Sequence, residues 1–194
     1  ATVWTQGTQG RLENADLLVR AGQVAEVGID LEAPSGALEI DATGKHVTPG
    51  LIDVHIHAGV SGVNESGFAI VPEVQMGDVV THNNIWMYRQ LAGGLTTAHV
   101  KHGSANPIGG ENVFVKMRWG SLPEDLKLEN APRTVKFALG ENPKRRQGRY
   151  PDTRMGTQEI IRDHFMAARD YEREWQRWEA NGEGIPPRRD LRTE

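Results

Sequence analysis

The sequence has no cysteine among its 194 residues. This absence excludes disulfide bridges and thiolate metal ligands, although it leaves the cellular compartment open. Long apolar runs are also absent, and no segment approaches the roughly 20 apolar residues of a membrane span. The net charge is only −4, so the composition gives no indication of a nucleic-acid partner. Hydrophobic residues make up 38% and charged residues 25%, as is typical of a globular protein.

The N-terminus lacks the pattern of a signal peptide, and the chain starts at Ala1 rather than at a methionine. We expect a periplasmic or secreted location if a leader has been removed, and a cytoplasmic location otherwise. The length is enough for one domain, or for a domain with a small accessory unit.

One short run carries most of the information about chemistry. Residues 49–57 read Pro-Gly-Leu-Ile-Asp-Val-His-Ile-His. On a β-strand alternate side chains share a face, so Asp53, His55 and His57 are expected to lie together. Two imidazoles one residue apart on an extended strand can reach the same metal ion, and neutral imidazole is a usual ligand for zinc. The pattern therefore predicts a metal site on this strand.

The rest of the sequence alternates between strand-like and helix-like segments. Residues 1–49 contain short strand-like runs, two of which flank Ala21-Gly22, a typical two-residue hairpin turn. A long helix is predicted from Thr157, as its N-terminal cap, to about Ala180. The other predicted elements are a helix over 85–92, strands over 95–100, 113–117 and 134–139, loops over 59–80, 103–110 and 141–156, and the opening of a helix at 189–194.

The run at 49–57 resembles the signature of the amidohydrolase superfamily, whose members are metal-dependent hydrolases on a TIM-like (β/α)8 barrel. Further blocks resemble the imidazolonepropionase-like and prolidase-like branch of bacterial amidohydrolases; they span 88–97, 102–110, 136–142, 149–151 and 153–156. The resemblance implies an α/β fold in which residues 1–49 form part of a small β-sandwich. Residues 50–194 would then form the first half of the barrel.

The same resemblance implies a set of metal ligands. His55 and His57 match the two histidines that end the first barrel strand in this superfamily. A third ligand is expected from Lys136, as a carboxylated lysine, or from Glu141 just past the same strand. Burial can lower the pKa of a lysine enough for its neutral amine to capture CO2. The implied cofactor is a divalent metal, zinc in the first place, as one or two ions.

Other polar residues are weaker candidates for binding the substrate or orienting a ligand. His102 follows the predicted second barrel strand, and Arg154 belongs to an arginine cluster with Arg145, Arg146 and Arg149. His102 could contact substrate, and the arginines could hold a substrate carboxylate or form a solvated, salt-bridged loop. Asp53 could orient an imidazole or serve as a structural carboxylate.

The resemblance implies hydrolysis of an amide or related C–N bond in a small amide or peptide-like substrate. The further metal-binding histidines and the catalytic aspartate of the superfamily are expected outside these 194 residues, in a C-terminal half or a companion chain. A homo-oligomer is also expected, and neither a membrane nor a nucleic acid is an expected partner. The alternative is a non-catalytic fragment or subunit, folded with a partner and holding a partial metal site.

Overall fold

Residues 1–144 and 148–194 are described by the computed structural model of the chain. They divide into two units, Ala1–Leu51 and Ile52–Glu194. All the described candidate site residues named above belong to the second unit. The architecture is mixed α/β, with several small sheets. The assignment of 1–49 to a β-sandwich and of 50–194 to a half-barrel stays a prediction.

The first unit is built from short strands: β1 (Thr2–Trp4), β2 (Arg11–Leu12), β3 (Asp16–Arg20), β4 (Gln23–Gly28) and β5 (His46–Val47). β1 pairs with β2 antiparallel and with β5 parallel, while β3 and β4 form an antiparallel hairpin. The hairpin turn has Ala21 at φ 50° and Gly22 at φ 75°, the two positive angles that a two-residue turn needs. The predicted hairpin is therefore confirmed.

The strands associated with the second unit are β6 (Leu51–Ile56), β7 (Leu95–Val100), β8 (Ile108–Glu111), β9 (Val113–Lys116) and β10 (Val135–Phe137). One sheet has the order β6-β7-β9, and β8 pairs with β10 antiparallel. β8 lies at the end of a segment predicted as loop. β10 is shorter than predicted, although the Ala138 N–H just after it still donates to the Pro107 carbonyl next to β8.

Alternation along the strands decides which side chains reach the core. Ala98 and Val100 of β7 are 0% and 1% exposed and belong to the main apolar core, so His99 and Lys101 occupy the opposite face. Ile56 of β6 belongs to the same core, which places His55 and His57 on the opposite face of that strand. The other core members are Val60, Met76, Val80, Met87, Val115, Met117 and Leu126.

Three α-helices lie in the described ranges: α1 (Ile85–Ala92), α2 (Pro123–Leu126) and α3 (Arg154–Asn181). Short 3-10 helices span Met76–Val79 and Asn142–Lys144. Asn84 caps α1 by accepting from the Trp86 N–H at 3.0 Å, so the predicted helix is confirmed with its bounds. None of the helices in the described part of the chain has the length and apolar character needed to cross a membrane.

The prediction for the start of α3 was wrong by one turn. Thr153 is the cap, because its hydroxyl accepts from the Gly156 N–H at 3.1 Å. Thr157 is 2% exposed and its hydroxyl donates to the Thr153 carbonyl inside the first turn. The helix ends at Gly182 with φ 65°, a left-handed angle that glycine adopts freely. The predicted helix opening at 189–194 is not formed, and residues 191–193 form a turn instead.

Candidate metal centre

The two histidines stand side by side at the end of β6. Their ring centroids are 5.1 Å apart and the ring planes cross at 73°. Nδ1 of His57 lies 2.8 Å from the carbonyl oxygen of Lys101. Because a carbonyl oxygen only accepts, Nδ1 carries the hydrogen and Nε2 keeps its lone pair. A backbone carbonyl commonly orients a metal-binding imidazole in this way, so His57 has the tautomer that ligation through Nε2 requires.

Lys136 approaches the same histidines from β10. Its Nζ lies 3.2 Å from Nε2 of His55, a contact between residues 81 positions apart. The ammonium donates and the imidazole nitrogen accepts. Lys136 is the half-buried centre of a three-residue strand whose other two residues, Val135 and Phe137, are exposed. Its side chain is thus turned towards the histidine face of β6.

Positive charge accumulates around these side chains. Desolvation lowers the pKa of Lys136, and the charge of Lys101 lowers it further. Desolvation also lowers the pKa of His55, with further lowering by the charges of Lys136, His57 and Lys101. Asp53 opposes that shift, but its Oδ1 accepts from the backbone N–H of His55 at 2.9 Å and touches no imidazole nitrogen. Asp53 therefore acts as a structural carboxylate rather than as an orienting partner of a ring.

Glu141, the alternative third ligand, forms ion pairs with residues outside the histidine pair. Its Oε2 lies 2.6 Å from Lys144 Nζ, and its Oε1 lies 2.8 Å from an Nη of Arg154. Hydrogen bonds from Lys144 and Arg154 hold the pKa of this carboxyl below its usual range. The structure does not bring Glu141 into hydrogen-bonding contact with His55 or His57. Arg154 is exposed and paired with Glu141, and its contact with substrate stays a prediction.

His102 is bound to backbone groups, and its predicted contact with substrate stays a prediction. Its side chain is 1% exposed, and both ring nitrogens are used by backbone groups. Nδ1 lies 3.0 Å from the Gly103 carbonyl and so carries the hydrogen, while Nε2 accepts from the Glu65 N–H at 2.9 Å. A Cβ added at Gly109 would lie 2.6 Å from His102 Nδ1. This closely packed neutral histidine ties the segment after β6 to the segment after β7.

Arg149 reinforces that attachment instead of facing solvent. Its guanidinium donates to the carbonyl oxygens of Ser66 and Phe68 at 2.8 and 2.9 Å, and also to those of Ala105 and Pro143. Asn106 is 0% exposed and donates to the Phe68 carbonyl at 2.7 Å. The prediction of a substrate-binding or solvated Arg149 was therefore wrong.

Arg145 and Arg146 of the predicted arginine cluster lie outside the described residues. Arg149 itself joins segments 83 positions apart, counted to Ser66.

Lys101 was not singled out from the sequence, although it directly follows the second predicted strand. Its place at a strand end was the one available signal.

Without modification of Lys136, the described side chains at this site offer only two donors to a metal ion. In the described ranges no group of three or more His, Cys, Asp or Glu side chains could hold a metal ion. His55 and His57 supply two nitrogen donors, and an unmodified ammonium has no lone pair to offer. A carboxylated Lys136 would add carboxylate-type oxygens from a nitrogen that already lies 3.2 Å from His55 Nε2. The donor set then consists of imidazole and carboxylate, which suits zinc.

The chain is similar in sequence and in fold to proteins named amidohydrolase or dihydroorotase. No family model matches the chain. The amidohydrolase tasK of Hapsidospora irregularis is 32% identical over 187 residues, which cover 84% of this chain and 19% of the relative. A dihydroorotase of Geobacter metallireducens is 54% identical over 50 residues, 26% of this chain and 12% of that protein.

The crystal structure of an amidohydrolase from Thermotoga maritima superposes with a TM-score of 0.86 at 34% identity. The match covers 100% of this chain and 52% of that one. The chain therefore belongs to the amidohydrolase superfamily. It spans about half the length of the solved relative and about a fifth of the length of the amidohydrolase tasK.

Proposed function

We propose that this chain is the N-terminal part of a metal-dependent amidohydrolase that cleaves an amide or a related C–N bond. The observation that carries the proposal is the approach of Lys136 to His55, beside His57, in a member of this superfamily. In the proposed protein, residues 1–49 contribute to a β-sandwich and residues 50–194 form the first half of a TIM-like barrel. A C-terminal half or a companion chain completes both.

The proposed ligands are Nε2 of His57, a ring nitrogen of His55, and the carbamate of Lys136. The carbamate forms when the neutral lysine nitrogen bonds to the carbon of CO2 and releases one proton. The lowered pKa of Lys136, caused first by desolvation, favours the neutral amine that this step requires. One or two divalent ions, zinc in the first place, would occupy the site.

A divalent ion held by these residues would lower the pKa of a bound water and polarise the scissile carbonyl. The chain's own residues hold that arrangement in place. The Lys101 carbonyl fixes the ring and tautomer of His57, and the His102 contacts fix the segment that follows the histidine strand. The aspartate that moves protons between water and leaving group belongs, in this proposal, to the part of the protein outside these residues.

Exposed apolar side chains on β6 support a missing partner. Ile52 and Val54 are each 68% exposed, on the same face of the strand as the buried Ile56. Apolar strand faces of this kind are normally covered by further structure. The rest of a barrel would bury them.

The test is the metal content of the intact protein that contains these residues. The double variant His55→Ala/His57→Ala should lose its transition metal, whereas His82→Ala, at an exposed histidine, should keep it. Carbon-13 NMR after equilibration with labelled CO2 should show a carbamate that disappears in Lys136→Ala. Stoichiometric metal in the double variant would overturn the ligand assignment.

The absence of a group of three unmodified ligands in the described ranges favours one alternative, a non-catalytic subunit with a partial metal site. An intact assembly that is folded, contains no metal and shows no carbamate signal would support that alternative. Metal and carbamate found together would exclude it.

A further inference from the structure

Thr134 lies two residues before Lys136, and its hydroxyl is held from two sides. His99 Nε2 lies 2.8 Å from Thr134 Oγ1, and the side-chain amide of Asn112 donates to the same oxygen at 2.9 Å. A hydroxyl has one hydrogen and two lone pairs, so it can satisfy both neighbours at once. Asn112 also donates its backbone N–H to the Thr134 carbonyl at 2.8 Å. The residue that leads into the strand of Lys136 is therefore fixed by three hydrogen bonds.

The two partners of Thr134 are themselves held in place. His99 is 8% exposed and lies opposite Phe114 of β9. The two rings are stacked, with centroids 3.8 Å apart and planes 14° from parallel. The side-chain oxygen of Asn112 accepts from the backbone N–H of His102 at 3.0 Å, so both ends of that amide are bonded. Neither partner of Thr134 can turn without breaking a further contact.

Strand pairing is irregular at Lys136 itself. The register of β10 against β8 shifts between Val135 and Phe137, on either side of the lysine. A ladder with such a shift does not by itself set the direction of the side chain within it. Thr134 and Lys136 are both half-buried, and alternation places them on one face of the chain. The bonds to Thr134 therefore fix the backbone from which Lys136 reaches His55.

We propose that His99 and Asn112 are positioning residues for Lys136, acting through the hydroxyl of Thr134. Together they hold the lysine nitrogen beside His55, where its carbamate would bind the metal. The inference rests on the proposed function, because the carbamate is the group that is placed. Each of these contacts joins two described residues, so the arrangement is complete within residues 99–136.

The test removes the hydroxyl and follows the carbamate. Thr134→Val keeps a β-branched side chain of the same shape, which a strand accepts. The carbamate fraction is measured by carbon-13 NMR on the intact protein, as labelled CO2 is added at a fixed, saturating zinc concentration. The apparent affinity for CO2 should fall at least about fivefold, the factor that one net hydrogen bond of about 1 kcal/mol contributes. Thr134→Ser retains the hydroxyl and should recover most of the affinity.

His99→Phe removes the same bond from the other side and keeps a ring to stack on Phe114. It should also weaken the capture of CO2, and it carries the test if Thr134→Val does not fold. The double variant should lose no more than Thr134→Val alone, because the two changes remove one shared bond. Thr97→Val is the matched control, since Thr97 lies two residues before His99 on the same face of β7. It should leave the affinity for CO2 unchanged.

Thermal melting of each variant reports whether the fold survives. A folded Thr134→Val protein with the affinity of the wild type for CO2 would overturn the proposal. An equal loss of affinity in Thr134→Val and Thr134→Ser would also overturn it, because the hydroxyl would then not be responsible.

Failure of the proposed function gives a different result. A wild type that forms no carbamate would refute the assignment of Lys136 as a metal ligand. The positioning role is then decided by nuclear Overhauser contacts between the side chain of Lys136, in lysine-labelled protein, and the ring of His55. Contacts that are present in the wild type and in Thr134→Ser but lost in Thr134→Val would support it. Contacts that are absent from the wild type, or retained in Thr134→Val, would refute it.

Discussion

Replacing His102 by phenylalanine should release the segment that follows β6, the strand of the two histidines. The variant keeps a planar ring of similar size in a site that is 1% exposed. It removes the acceptor for the Glu65 N–H and the donor to the Gly103 carbonyl. The change therefore tests the two hydrogen bonds with little change in volume.

The expected magnitude follows from those two bonds. A buried polar group left without its partner costs about 1–3 kcal/mol, so two such groups should lower the local free energy of opening by at least about 2 kcal/mol. Since each 1.4 kcal/mol corresponds to about a factor of ten, amide exchange at Glu65 should accelerate by roughly 30-fold or more. The measurement is hydrogen exchange by mass spectrometry on peptides covering 60–68 of the intact protein.

The same contact predicts a dependence on pH. Desolvation lowers the pKa of His102 from its usual 6.5, and Lys136 and His57 add to this shift, while the Gly103 carbonyl and Glu65 oppose it. The folded state therefore binds fewer protons than the open state between the two pKa values. Protection at Glu65 should be complete above pH about 6.5 and should fall as the pH drops below it.

His82→Phe is the control, because His82 is an exposed histidine of the same unit. It should leave exchange at Glu65 unchanged. Exchange in the His102 variant that matches the wild type at every pH would show that the two bonds do not hold the segment, and the reasoning would fail.

Two further changes test the site and the core. Lys136→Ala in the intact protein should remove the metal and the hydrolytic activity, while Lys136→Glu should recover part of the metal by restoring a carboxylate. Metal analysis of the two variants is the measurement, and full metal retention by Lys136→Ala would contradict the assignment. Leu126→Ala, at a side chain that is 0% exposed, should destabilise the unit by about 2–5 kcal/mol, measured as a lower melting temperature. A loss below about 1 kcal/mol would show that neighbouring side chains fill the space left by the leucine.

Local patterns in the sequence were enough for several elements. The hairpin at Ala21-Gly22 and the helix Ile85–Ala92 depend on residues within one turn of each other, and both are confirmed. Period-two alternation alone also predicts that His55 and His57 share one face of the strand. These predictions succeed because each feature is determined by residues only a few positions apart.

The surroundings of the histidines could not be predicted in the same way. The bond from the Glu65 N–H to His102 spans 37 positions, and those from Arg149 to the carbonyl oxygens of Ser66 and Phe68 span 83 and 81. Nothing in the immediate neighbourhood of Arg149 shows that it will bind backbone carbonyls. Lys101 was missed for a related reason, because its role comes from the strand next to it.

The charge of the histidine face depends on Lys101 and Lys136 as well as on the two histidines. With Lys136 as an ammonium, two lysines and two histidines share a face on which Asp53, the carboxylate of the histidine strand, is bound to backbone. Carboxylation of Lys136 would change its charge from +1 to −1 and turn its repulsion with Lys101 into attraction. Because no ion pair of the described residues involves Lys101 or Lys136, the carboxylation of Lys136 decides the charge of this face.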